Sequence, residues 1–100
     1  MLYSFILFDQ PGAGEIRRRV LAEHKAYLAA TAERIAFAGP LFGDDGTTMV
    51  GSLLVIDFPD RAAAQAWQRD EPFTRAGVYG SAHLHAFENR WPQKVGFPAG

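Results

Sequence analysis

The stretch TMVGSLLVIDF, residues 48 to 58, decides the fold. Read as a strand, it is apolar on both parities: Met49, Leu53 and Val55 alternate with Val50, Leu54, Ile56 and Phe58. A strand that is apolar on both faces needs cover on both faces, which places it at the centre of a sheet. Gly51-Ser52 interrupts it, and a gap of small side chains in a core strand either admits a crossing helix or leaves room for a ligand.

The neighbouring segments follow from that strand. Upstream, AFAGPLF at 36 to 42 predicts a short strand broken by Gly39-Pro40, hence a bulge or an edge position, because proline cannot donate to a ladder. GDDG at 43 to 46 is the hairpin turn between the two. Downstream, Pro59-Asp60 opens a helix with Asp60 as N-cap, running to Arg69 and burying Ala63, Ala66 and Trp67 before Pro72 interrupts it. FTRAGVYG, 73 to 80, reads as a helical turn ending at a glycine. Residues 81 to 91 alternate, with Ser81, His83, His85, Phe87, Asn89 and Trp91 on one side, and form the last strand.

Residues 2 to 8 form the first strand, again apolar on both parities, stopped by Asp9, Pro11, Gly12 and Gly14. Between it and residue 36 lies a helix over 15 to 35 with Gly14 at its N-cap. Its apolar stripe is Ile16, Val20, Tyr27, Leu28, Thr31 and Ile35, and His24 falls inside that stripe, where an amphipathic helix would carry Leu or Ala. Arg17-Arg18-Arg19 reads first as a solvated face and second as an anion-steering patch, without a catalytic role.

Strand, helix, strand, strand, helix, strand is the split βαβ order of an α+β, ferredoxin-like domain with a four-stranded antiparallel sheet. Two helices cover one face of such a sheet. The first and third strands are apolar on both, so the cheapest cover for the other face is a second copy packed sheet to sheet, a homodimer forming an α+β barrel. The domain is expected over 1–91, with 92–100 as a C-terminal arm.

Composition narrows the partners. With a net charge of −1 there is no field to gather nucleic acid or an anionic membrane. The chain has no cysteine, which removes disulfides, a thiolate nucleophile and cysteine-based zinc sites. MLYSFILF is too short to span a bilayer and lacks the basic start of a signal peptide, so a soluble cytoplasmic protein is expected. No cofactor is expected either: Gly12-Ala13-Gly14 lacks the third glycine and the acidic residue of a dinucleotide loop.

The residues able to carry chemistry are His24, Ser52, the acidic pair Asp70-Glu71, and the aromatics Tyr3, Phe73 and Tyr79. A histidine and a carboxylate in a partly apolar cleft form a minimal acid/base pair, and a hydroxyl on an apolar strand can donate to a substrate oxygen. The plain structural alternative makes the acids a solvated helix end, Ser52 a spacer and Tyr79 a core aromatic. His83 and His85, two apart on one strand face, could share a metal with a third ligand from Asn89, a partner chain or His24, but ordinary surface or interface histidines are the expectation, because no carboxylate shares their face and no cysteine completes a zinc set.

Residues 1 to about 88 resemble the YciI-like, or YCII-related, family of small dimeric α+β barrels. The resemblance is carried by MLYSFILF, AEHKAYL around His24, AGPL at 38 to 41, GSLLVIDF from Gly51, AAAQAWQRDEPFTRAGVY at 62 to 79, and the closing strand ending at Phe87. It implies a site with a histidine on the first helix, carried over to His24. The family's second site residue is an aspartate before the proline of a DP-aromatic motif, carried over to Glu71. Glutamate stands there instead, with Asp70 one residue earlier. One activity attached to the family is dehydrochlorination of a chlorinated hydroxyquinol, so the resemblance implies a cofactor-independent lyase or isomerase. The alternatives are a dimer that binds a small metabolite without turning it over and, on fold analogy alone, a cofactor-free oxygenase.

Overall fold

The computed structural model describes residues 1–91; the arm expected over 92–100 lies outside them. The elements are β1 (Leu2–Asp9), α1 (Ala13–Ala29), β2 (Ile35–Phe42), β3 (Met49–Asp57), α2 (Arg61–Asp70), α3 (Pro72–Arg75) and β4 (Tyr79–Phe87), with a 3-10 turn at Ala32–Arg34. The strands pair antiparallel in the order β2-β3-β1-β4, a ferredoxin-like α+β sheet. As the apolar parities required, β1 and β3 are central. β2 is an edge strand, and Gly39-Pro40 lies within it; its irregularities fall on either side, between Ile35 and Phe37 and between Leu41 and Phe42.

Register divides the sheet into two faces. Phe5 stands opposite Leu54 on β3 and Leu84 on β4, and with Tyr3, Leu7 and Ile56 it makes the face on which the helices pack. Phe5 and Ile56 are fully buried. Phe5, Phe58 and Trp67 of α2 meet with ring centroids 5.6 to 6.1 Å apart, within the range of favourable aromatic pairs. The opposite face carries Ile6, Phe8, Leu53, His83, His85 and Phe87. Phe8 and Phe87 remain 43% and 38% exposed.

Gly51 has a steric reason for being glycine. A Cβ there would lie 2.2 Å from the Leu7 carbonyl oxygen on the paired strand. The small residue at 51 serves the close approach of β1, and only its neighbour Ser52 turns toward the helices.

The end of α1 departs from the sequence expectation. Its N-cap is Gly12, at φ 76°, and the helix stops at Ala29. Ile35 begins β2 opposite Ile56. The periodicity through Thr31 and Ile35 is satisfied either way, because both side chains pack inward from the turn, and strand pairing decides the backbone. In α2, Asp60 caps as expected, its carboxylate accepting from the Ala63 N–H at 2.8 Å. Ala64 is the fully buried alanine of that helix, while Ala63 and Ala66 are partly covered. β4 starts two residues earlier than the alternation suggested and ends at Phe87, leaving Trp91 86% exposed beyond it.

α1 is fastened at both ends. Ala13 and Val20 pack with Phe73 and Val78. At the other end the Tyr27 hydroxyl donates to the Trp67 carbonyl at 2.8 Å, and Trp67 Nε1–H donates to Thr31 Oγ1 at 2.9 Å. Between α1 and the β2–β3 hairpin the layers part, leaving a cavity of about 1120 Å³.

Candidate active site

His24 projects from α1 onto the cavity wall, its side chain 15% exposed. Its ring lies parallel to Phe73, centroids 3.8 Å apart and planes 5° from parallel. Its Nδ1 bonds Glu71 Oε1, a contact between two side chains that are nearly sealed from water. Glu71 is itself fixed twice. It is the N-cap of α3, with Pro72 at the first helical position, and its Oε2 accepts from the Thr74 N–H at 3.2 Å. Proline at that position wastes no donor and sets the helical φ. One carboxylate oxygen thus holds the short helix and the other holds the histidine. The extra methylene of glutamate fits here because the contact starts from a backbone that the cap has fixed.

Among the described residues, Nε2 of His24 has no protein partner. When Nδ1–H donates to the Glu71 carboxyl oxygen, the neutral ring carries its lone pair on Nε2.

Ser52 reaches the same cavity from β3. Its Oγ is 3.0 Å from the Tyr79 hydroxyl and accepts from Arg17 Nη2 at 3.0 Å. Tyr79 stands behind Ser52, off the cavity wall, and burial pushes its phenol up to about 12 despite the Ser52 hydrogen bond. Phe73 lines the cavity and is almost fully buried.

Three expected residues lie off the cavity wall: Tyr79, which stands behind Ser52, Asp70 and Tyr3. Asp70 ends α2 with its carboxylate 57% exposed and accepting from Arg69, so it does not meet His24. Glu71, the extended residue between α2 and α3 at φ −67° and ψ 132°, takes the inward direction. Tyr3 is 5% exposed inside the aromatic core beneath α2 and does not line the cavity. His83 and His85 face the open side of the sheet, opposite Ile6 and Ser4, and among the described residues no group of three potential ligands could hold a metal.

The structure adds a pair that the sequence reading left out. Arg17, expected on a solvated face, is 8% exposed. Its Nε and Nη2 each donate to the Asp9 carboxylate at 2.8 Å, and its guanidinium carbon lies 5.0 Å from the Phe73 ring centre and 5.8 Å from that of Tyr79. Burial alone would lower the Arg17 pKa, but the hydrogen bond and charge of Asp9 outweigh it and the group is held more firmly charged. The available signal was spacing. Ala13, Arg17, Val20 and His24 fall at i, i+4, i+7 and i+11, one face of a helix that starts two residues earlier than expected.

With this geometry in place, comparison with known proteins is informative. A model of the YCII-related domain matches residues 1–88. The chain is 32% identical over 95 residues to Protein YciI of Escherichia coli O6:H1, covering 88% of this chain and 97% of that one, and equally similar to Protein YciI of Shigella flexneri. Among solved structures it is similar to 5-chloro-2-hydroxyhydroquinone dehydrochlorinase from Burkholderia phenoliruptrix AC1100 in complex with 2,5-dihydroxybenzoquinone. The TM-score is 0.81 at 27% identity, over 88% of this chain and 94% of the other. No described helix is long and apolar enough to cross a membrane.

Proposed function

The chain belongs to the YCII-related family, and from that premise we propose that it is a cofactor-independent acid/base catalyst, a lyase or isomerase acting on a small oxygenated ring. The observation that carries this is the His24–Glu71 pair: one imidazole nitrogen is fixed by a buried carboxylate while the ring fronts the cavity. Glu71 orients His24, and Nε2 takes and returns the proton. Phe73, stacked on the imidazole, sets its plane. Ser52 offers a hydroxyl to a substrate oxygen, with Tyr79 and Arg17 holding it in place.

The dehydrochlorinase similarity supports an elimination. On a chlorinated hydroxyquinol, His24 would accept a hydroxyl proton, whose bonding pair becomes the new carbonyl, and would return a proton to the chlorine-bearing carbon. Departure of chloride with its bonding pair and loss of a second hydroxyl proton then leave a quinone, a net loss of one proton and one chloride. Acid/base participation of this kind contributes about 10²–10⁴-fold.

Chloride release from 5-chloro-2-hydroxyhydroquinone, by wild type and by His24→Asn, tests the proposal. Turnover abolished in the variant supports it; equal turnover by both refutes a catalytic His24. The protein would act as a homodimer, since Phe8, Phe37 and Phe87 on the uncovered side of the sheet are each more than a third exposed. Light scattering that gives a monomer at micromolar concentration refutes the dimer.

A further inference from the structure

Arg17 is the one buried cation among the described residues, and its donors can be counted. A guanidinium has five N–H groups. Nε and one hydrogen of Nη2 are spent on Asp9, and the other Nη2 hydrogen is spent on Ser52. Among the described residues, the two on Nη1 face only the Met49 sulfur, 3.9 Å away. A thioether is a weak acceptor, and a buried charged donor without a proper partner is costly.

Arg17 and Met49 both line the cavity that His24 fronts. Arg17 and His24 sit two helical turns apart, roughly 10 Å along the axis, and both lie against the Phe73 ring. Around that wall the charges are uneven. Asp9 is already paired, whereas Arg18 and Lys25 stand exposed at the rim.

We propose that Arg17 Nη1, together with the Ser52 hydroxyl, is an oxyanion-binding subsite, and that the ligand is a flat ring ionised at neutral pH. Its phenolate or enolate oxygen docks on Arg17 while the ring extends toward His24. The inference deepens the acid/base reading and rests on it for the identity of the site. Asp9 does not cancel the anion's attraction but aims the donor, because it consumes the Nε–Nη2 edge and leaves the Nη1 corner turned to the cavity. Ser52 joins in when the protonated Tyr79 phenol donates to its oxygen, which frees the serine hydrogen for the ligand.

The test is binding of two probes to the full chain by calorimetry. 2,5-Dihydroxy-1,4-benzoquinone is a vinylogous acid ionised at neutral pH, and 2,5-dimethoxy-1,4-benzoquinone has the same ring without an ionisable oxygen. Wild type should bind the ionised probe about 10- to 100-fold more tightly, the range for a charge-assisted hydrogen bond. Arg17→Gln, checked for folding by circular dichroism, should lose that preference, and Arg17→Lys should keep part of it. His24→Asn should leave the preference intact.

Equal binding of both probes by wild type overturns the subsite and leaves the acid/base reading standing. So does a preference that survives in Arg17→Gln and vanishes in His24→Asn, which would place the anion on the imidazole. Binding of neither probe at millimolar concentration overturns the ionised-ring ligand, and chloride release then judges the catalytic reading separately.

Discussion

Glu71 does two jobs with two oxygens, and substitution can separate them. In Glu71→Gln the amide oxygen can still accept from the Thr74 N–H, so the α3 cap survives. Its NH2 can only donate toward His24. The imidazole must then accept at Nδ1 and carry its hydrogen on Nε2, the tautomer unable to act as a base toward the cavity. Stability should change by no more than about 1 kcal/mol, because the shape and both contacts persist. Glu71→Ala removes both. Loss of the cap costs about 0.5–2 kcal/mol, and leaving a buried ring nitrogen unpaired costs about 1–3 kcal/mol. A total of about 1.5–5 kcal/mol lowers the melting temperature of a domain this size by about 6 °C or more.

Nitrogen-15 NMR of the imidazole reads the tautomer without any substrate, urea unfolding reads stability, and chloride release reads turnover. The expected result for Glu71→Gln is near wild-type stability, hydrogen moved from Nδ1 to Nε2, and turnover lowered about 10²–10⁴-fold, with the loss in kcat rather than KM. A Glu71→Gln protein with wild-type tautomer and turnover within twofold would refute the orienting role. A protein as unstable as Glu71→Ala would show instead that the charge is needed for folding.

The remaining expectations concern the scaffold. Gly51→Ala places a methyl carbon 2.2 Å from the Leu7 carbonyl oxygen in the central strand pair; the strands must part, and thermal unfolding should report a loss of about 1–3 kcal/mol, whereas an unchanged melting temperature would mean that the β1–β3 approach is not that tight. Asp45, in the β2–β3 hairpin, is lowered to about 2 from an ordinary value of 3.8, first by the Thr48 hydroxyl and then by the Thr48 and Thr47 N–H groups. A carboxylate lowered in the folded state adds stability above its unfolded value and loses it as pH falls through the folded one. Acid titration of stability should therefore show a step between about pH 4 and 2 that is missing in Asp45→Asn, and identical profiles would count against the turn contacts.

The parts of the site that were legible in the sequence are those where one residue breaks the pattern of its own element. His24 interrupts an apolar stripe and Ser52 interrupts an apolar strand, whereas only the family resemblance distinguishes Glu71 from Asp70. The order of elements was legible from periodicity in the helices and the last strand, and from apolar runs bounded by turn residues in β1 and β3. Boundaries were less so: Ile35 serves a helical stripe and a strand equally well, and only pairing with Ile56 settles it.

Arg17 was hard to read because its spacing with Val20 and His24 becomes a face only when the helix starts at Ala13, and nothing else is irregular about an arginine beside two other arginines. Its burial comes from residues supplied by other elements: the carboxylate of Asp9 at the end of β1, the hydroxyl of Ser52 on β3 and the ring of Phe73 on α3. Tyr3 shows the converse. On a strand apolar on both parities the sequence cannot say which face meets the helices, so an aromatic with a hydroxyl looked equally suited to a ligand wall and to the core.

The cavity follows from how α1 is fastened. Val20 packs with Phe73 at one end, and Tyr27 and Thr31 grip Trp67 at the other. Both anchors belong to the α2–α3 side of the helical layer, so α1 is drawn away from the β2–β3 hairpin and a cleft opens over Ser52. Among the residues that line this cleft from α1 are Arg17 and His24, each about one turn from Val20. Buried polar groups on an otherwise apolar wall persist only if they are paired, and here each is paired on one side: Arg17 by Asp9, His24 by Glu71. Among the described residues, the other side of each fronts the same cavity, Arg17 with its Nη1 beside the Met49 sulfur and His24 with no partner on Nε2.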